Sequence, residues 1–119
     1  MTTGFASPAD DFLEGQLSLD KLLVHNKDAT FFVRAEGDAM VDACIQHGDL
    51  LVVDRSLSPI SGNIVIAVDD GDLIVRRFIQ HEGRVVLAPE NSAFKELEFK
   101  DDQELKIWGV VTSLIKKLD

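Results

Sequence analysis

Cysteine is almost absent from this chain: Cys44 is the only one in 119 residues. A lone thiol excludes an internal disulfide and fits a reducing compartment. No apolar run approaches the length that crosses a bilayer, and no charged-then-apolar leader opens the chain. A cytoplasmic protein without membrane contact is therefore expected. Positive charge is also scarce, with 12 Lys+Arg against 21 Asp+Glu and a net charge of −9. Broad contact with nucleic-acid phosphates is opposed at that balance, so no direct sequence-specific nucleic-acid binding is expected. A local group (Arg34, Arg76, Arg77 and Arg84, or Lys116 with Lys117) could meet an acidic protein surface, although each taken singly reads as a solvated strand-end charge.

Apolar residues make up 45% of the chain and charged residues 28%, the balance of a soluble globular domain. The length suits one domain with a single core. Residues 1–16 lack periodicity and are expected to form an extended, mobile arm, with the folded domain over 17–119. Leu17 to Val24 reads as a short helical turn capped by Ser18, with Leu19, Leu22 and Leu23 facing inward. Strand signals follow over Ala29–Ala35, Leu50–Asp54, Ile64–Val68, Leu73–Ile79, Val85–Ala88 and Ile107–Ile115. Asp69-Asp70-Gly71-Asp72 and His81-Glu82-Gly83-Arg84 read as hairpin turns in which glycine supplies positive φ. The fold class is thus mostly β: one strongly bent antiparallel domain with one or two short helical turns. The last strand is apolar on both faces, which makes it either central or covered by a partner.

Several chemistries lack the residues they need. Cys44 and His47 have a Cys-x-x-His spacing, but a second ligand pair is missing and no metal site is expected. Asp69, Asp70 and Asp72 lack the spacing and terminal glutamate of a calcium loop. No phosphate-cradling or dinucleotide-binding glycine pattern occurs, so no cofactor is expected. Ser56, Ser58 and Ser61 have no neighbouring His or Lys to activate them and read as turn residues.

The most telling stretch is Glu36-Gly37-Asp38-Ala39-Met40, followed 37 positions after Ala39 by Arg76 in Val75-Arg76-Arg77. The first resembles the Ser-Gly-Asp-Ser-Met box of the LexA/UmuD family of self-cleaving serine–lysine peptidases, and the second its Val-Lys-Arg strand. The separation is the one that family uses between nucleophile and base. Gly48–Asp54, Gly62–Ala67, Leu87-Ala88-Pro89-Glu90-Asn91 and Trp108-Gly109-Val110-Val111 resemble further strands and turns of the family. Within it, Gly4-Phe5-Ala6-Ser7-Pro8-Ala9 and Leu19–Leu23 resemble the opening of processed UmuD. The likeness runs from about Gly4 to Ile115.

Set against that pattern, the dyad is gone. Ala39 offers a methyl group where a nucleophilic oxygen is needed. Arg76 keeps its proton and cannot act as general base where a neutral lysine is required. Gly37, Asp38 and Met40 would keep the flanking turn. Gly4 would match the processed N-terminus, so that a subunit already in processed form has no arm to remove. By resemblance the chain is then a non-catalytic subunit of the type carried by some phages and plasmids. Its implied partners are a second copy of itself, a UmuC-like Y-family DNA polymerase and the RecA filament, with a heterodimer with host UmuD also open to it. Family dimers pair their C-terminal strands, which points to Ile107, Trp108, Gly109, Val110, Val111 and Leu114 as the interface, given an exposed edge there. The alternative is the isolated, inactive dimerisation domain of a LexA-like or phage repressor.

Overall fold

The computed structural model describes residues 18–100 and 104–119. The expected arm over residues 1–16, Gly4 included, lies outside the described residues. Seven strands form one antiparallel sheet: β1 (Thr30–Arg34), β2 (Leu50–Asp54), β3 (Ile64–Asp69), β4 (Asp72–His81), β5 (Arg84–Ala88), β6 (Leu97–Lys100) and β7 (Lys106–Ile115). Their order across the sheet is β1-β2-β7-β3-β4-β5-β6. A single short helix, α1 (Leu19–Leu23), and 3-10 turns at Lys27–Ala29 and Val41–Ala43 complete the described elements.

Local sequence sets the two tight hairpins. Asp70 and Gly71 have φ values of 49° and 82°, and Glu82 and Gly83 have 46° and 74°. Two successive positive φ angles make the turn whose twist matches the flanking strands, which fixes the β3–β4 and β4–β5 registers. Strands β2 and β3 are apolar without alternation because both faces of the sheet are covered. Leu51, Val52, Val53, Val65, Ile66 and Ala67 are all fully buried. On one side Ala35, Met40, Ile45, Leu51, Val53 and Ile66 form a core. On the other, Val65, Ala67, Phe78, Leu87 and Val110 form a second, completed by Leu97 and Phe99 as the sheet curls through β5 and β6.

Strand β7 takes one of the two places the sequence left open. It is central: Ile107 to Val111 pair with β3, and Val110 to Ile115 pair with β2. Gly109 and Val110 are buried inside the subunit, and a Cβ on Gly109 would stand 2.5 Å from Val53 Cγ1, so the close approach of β2 and β7 requires glycine. Where the β2 ladder ends, Arg55 Nε donates to the Trp108 carbonyl at 2.8 Å, and its guanidinium lies 4.5 Å from the Trp108 ring centre. Within the subunit Ile107, Gly109, Val110, Val111 and Leu114 take ladder partners on β2 or β3, and Trp108 meets Arg55. Only beyond Val111 does β7 lack a neighbour on the β3 side, and there Leu114 is 36% exposed. Both cores draw on β7: Trp108 and Val111 pack against the first, and Ile107 packs against the second, which contains Val110.

Helix α1 departs from expectation too. Leu19 and Leu22 are more than half exposed, and Ser18 makes no side-chain capping bond. Five residues form too short a helix to bring a continuous apolar face onto the sheet.

Candidate functional site

A cavity of about 610 Å³ lies between the segment after β1 and the first half of β4, and both motif positions line it. From one side come Glu36, Gly37, Asp38, Ala39 and Met40; from the other come Asp72, Leu73, Ile74, Val75 and Arg76. Ile45 and Ile66 contribute apolar lining, and Phe94 also borders the space.

The Ala39 side is a braced turn. Gly37 has a φ of 81°, a conformation other residues adopt only under strain. Its N–H donates to His47 Nδ1 at 3.1 Å, so that ring nitrogen carries no proton in this arrangement. The Asp38 carbonyl accepts from Asn91 Nδ2 at 2.8 Å. The Ala39 carbonyl accepts from the Glu90 N–H, and the Glu90 carbonyl accepts from the Asp42 N–H, each at 2.8 Å. Glu90 is held in turn by Arg77, whose Nε lies 3.0 Å from its carboxylate while Nη1 reaches the Gly62 carbonyl at 2.7 Å. Beneath the turn Met40 is 2% exposed and joins the first core. The Leu87–Asn91 stretch thus acts as a strut for the turn. That role was not read from the sequence, although a Pro-x-Asn turn with a side-chain amide able to imitate backbone is its visible signal.

The Arg76 side is held differently. Arg76 Nη1 donates to the carbonyl of its own neighbour, Val75, at 2.8 Å. The guanidinium carbon sits 5.8 Å from the Phe94 ring centre. Its Nε is buried and has no hydrogen-bond partner among the described residues. Burial pushes the guanidinium pKa down from its ordinary value, and the Asp69 charge opposes this. No carboxylate lies within ion-pair distance of Arg76 among the described residues. Arg76 makes no ion pair with Asp38, and both residues line the cavity.

Other residues singled out in the sequence serve local structure. Arg34 donates to the Gly48 carbonyl, Arg84 pairs with Glu98, and Lys116 pairs with Asp49 at 2.5 Å. Lys116, first, and then the Gln46 N–H hold the Asp49 carboxyl below its ordinary value. Ser56 Oγ donates to Asp54, and Ser61 Oγ accepts from the Gln80 N–H, so neither faces the cavity. Cys44 is exposed in a left-handed conformation.

The cavity thus has a strutted turn on one wall and a half-buried cation on the other. Residues 1–112 match the Peptidase S24-like family, and the chain belongs to it. Among similar proteins, Protein SamA of Salmonella typhimurium is 45% identical over 96% of this chain and 79% of its own length. Protein MucA of Escherichia coli is 40% identical over 98% of this chain and 80% of its own. The LexA repressor of Geotalea uraniireducens is 35% identical over 98% of this chain, but only 58% of the repressor is covered.

Proposed function

We propose that the chain is a non-catalytic, UmuD-prime-like accessory subunit of an error-prone translesion DNA polymerase in SOS mutagenesis, with Ala39 and Arg76 standing where the family carries its nucleophile and base. The observation that carries this reading is that a methyl group and a permanently charged guanidinium line one cavity in a Peptidase S24-like fold. Neither group can accept a proton from a nucleophile or attack a carbonyl. The strutted turn keeps the cleft's shape without its chemistry. Function then passes through protein contacts: a second copy, a UmuC-like Y-family polymerase and the RecA filament. The unpaired side of β7 beyond Val111, with Leu114 exposed, is the place for strand pairing between two copies. The net charge of −9 fits a protein that reaches DNA through its partners. Copurification of the tagged protein with a UmuC-type polymerase tests the reading, with processed UmuD as positive control. Stoichiometric capture is expected. Loss of capture while the control binds would remove it and favour the second reading, an inactive repressor domain, which the similarity to a LexA repressor supports.

A further inference from the structure

Strand β1 ends the sheet, and its outer side is open. The Arg55 N–H donates to the Ala29 carbonyl and the Ala35 N–H to the Asp49 carbonyl, each at 2.8 Å, which sets the alternation of the β1–β2 ladder. Phe31 and Val33 therefore exchange hydrogen bonds with β2, while the N–H and C=O groups of Thr30, Phe32 and Arg34 point away from it. No strand takes them among the described residues. Sheet edges are commonly blunted by lysine, proline or a bulge. Strand β1 instead reads Thr-Phe-Phe-Val-Arg, with Phe31 and Phe32 43% and 57% exposed on opposite faces. On the Phe32 side lies a groove of about 500 Å³, lined by Val24 and Thr30 and by the cationic Lys21 and Lys27. On the Phe31 side stand the Trp108 ring and, over it, the Arg55 guanidinium.

Charge at this edge differs from the chain as a whole. Lys21, Lys27, Arg34 and Arg55 surround it, against Asp20 and Asp28, in a protein of net charge −9. None of these four cations makes an ion pair among the described residues, whereas Arg77, Arg84, Lys106, Lys116 and Lys117 each have a carboxylate partner. We infer that β1 is the docking edge for an extended, acidic segment of a partner protein, which pairs with the Thr30, Phe32 and Arg34 backbone and lays an apolar side chain in the groove beside Phe32. The open backbone groups ask for the N–H and C=O groups of a strand, and the exposed rings for apolar side chains on either face of it. The unpaired cations select carboxylates at its ends. A second copy of this chain fits the edge poorly, because pairing β1 with β1 would set the same four cations against one another. The inference rests on the proposed reading only in that function passes through protein contacts. Failure to capture a polymerase leaves it standing.

The test titrates a fluorescein-labelled, valine-rich peptide with aspartates at both ends into the whole protein, read by anisotropy, beside a copy with lysines in place of the aspartates. Saturable binding of the acidic peptide is expected, roughly tenfold or more tighter than that of the lysine copy. Lys21→Gln combined with Lys27→Gln should narrow that gap, and Phe32→Ser should weaken the acidic peptide. N-methylation of alternate peptide nitrogens should abolish binding, and the Phe32 amide should gain protection from hydrogen exchange. All three substituted side chains are exposed, so the variants should fold, and thermal unfolding checks that they do. No binding at millimolar peptide, equal binding of the two peptides, or protection confined to other strands would each overturn the inference. So would self-association lost in Phe32→Ser, which gives the edge to a second copy. Binding that appears only once residues 1–17 are removed would overturn it too, by giving the groove to the chain's own segment.

Discussion

The two walls of the cavity are built to opposite standards. On the Ala39 side, backbone and side-chain hydrogen bonds from Asn91, Glu90 and His47 hold a left-handed glycine turn over a buried methionine. On the Arg76 side, a half-buried cation leans on its neighbour's carbonyl and an aromatic ring, with one nitrogen unsatisfied. A turn that stays braced contributes to folding whether or not it presents a nucleophile. A base position has no such second role. On the proposed reading, in which Arg76 transfers no proton, nothing in the fold requires the site to be well satisfied.

Substitutions at each wall should therefore differ in sign. The largest effect is expected at Met40, which anchors the turn to the first core at 2% exposure. Met40→Ala should destabilise by about 2–5 kcal/mol, read by denaturant unfolding, because a cavity opens beneath the turn. A loss well under that range would mean that the turn is not core-supported. Next is Asn91→Ala, which removes the donor to the Asp38 carbonyl and should cost about 1–2 kcal/mol. Hydrogen exchange should accelerate in the Gly37–Met40 turn while leaving β3 unchanged. On the other wall the direction reverses. Arg76→Met should raise stability slightly, read by denaturant unfolding, since it removes an orphaned buried nitrogen. A destabilised Arg76→Met would show that the guanidinium is better satisfied than its contacts indicate.

The smallest effect lies where the turn's segment rejoins β2. Asp49 takes a hydrogen bond from Lys116 and another from the Gln46 N–H, and its folded pKa lies below the ordinary 3.8. A depressed carboxylate contributes stability that is present above its unfolded pKa and is lost as pH falls through the lower folded value. Lys116→Met should thus lower Tm slightly at neutral pH, and the gap from wild type should close in strong acid. A gap that does not shrink on acidification would assign the loss to lysine packing instead.

How much of this was legible beforehand follows the range of the interactions. Strands β2 to β5 and both hairpins are written locally, in β-branched runs and in Asp-Gly and Glu-Gly pairs. Strand β6 was not expected, because Leu97-Glu98-Phe99-Lys100 alternates over only four residues in a charged stretch. The central place of β7 depends on which strands flank it, and no local pattern carries that: apolar residues on both faces fit an interface as well as a double core. Both cavity positions could be named from motif and spacing, yet their supports could not. His47 stood out as half of a metal-like pair, whereas its contact is the Gly37 N–H ten residues away. Arg76 shares the cavity with Glu36, Asp38 and Asp72 and pairs with none of them, an outcome no local sequence pattern carries.

The most direct measurement is cleavage in trans of a LexA-type substrate by four purified proteins: wild type, Ala39→Ser, Arg76→Lys and the double variant. The braced turn should present a restored hydroxyl correctly, but a guanidinium cannot take its proton and a methyl group cannot attack. Cleavage by the double variant alone is the predicted result. Cleavage by the wild type or by Ala39→Ser alone would contradict the claim that two independent losses silence this cleft.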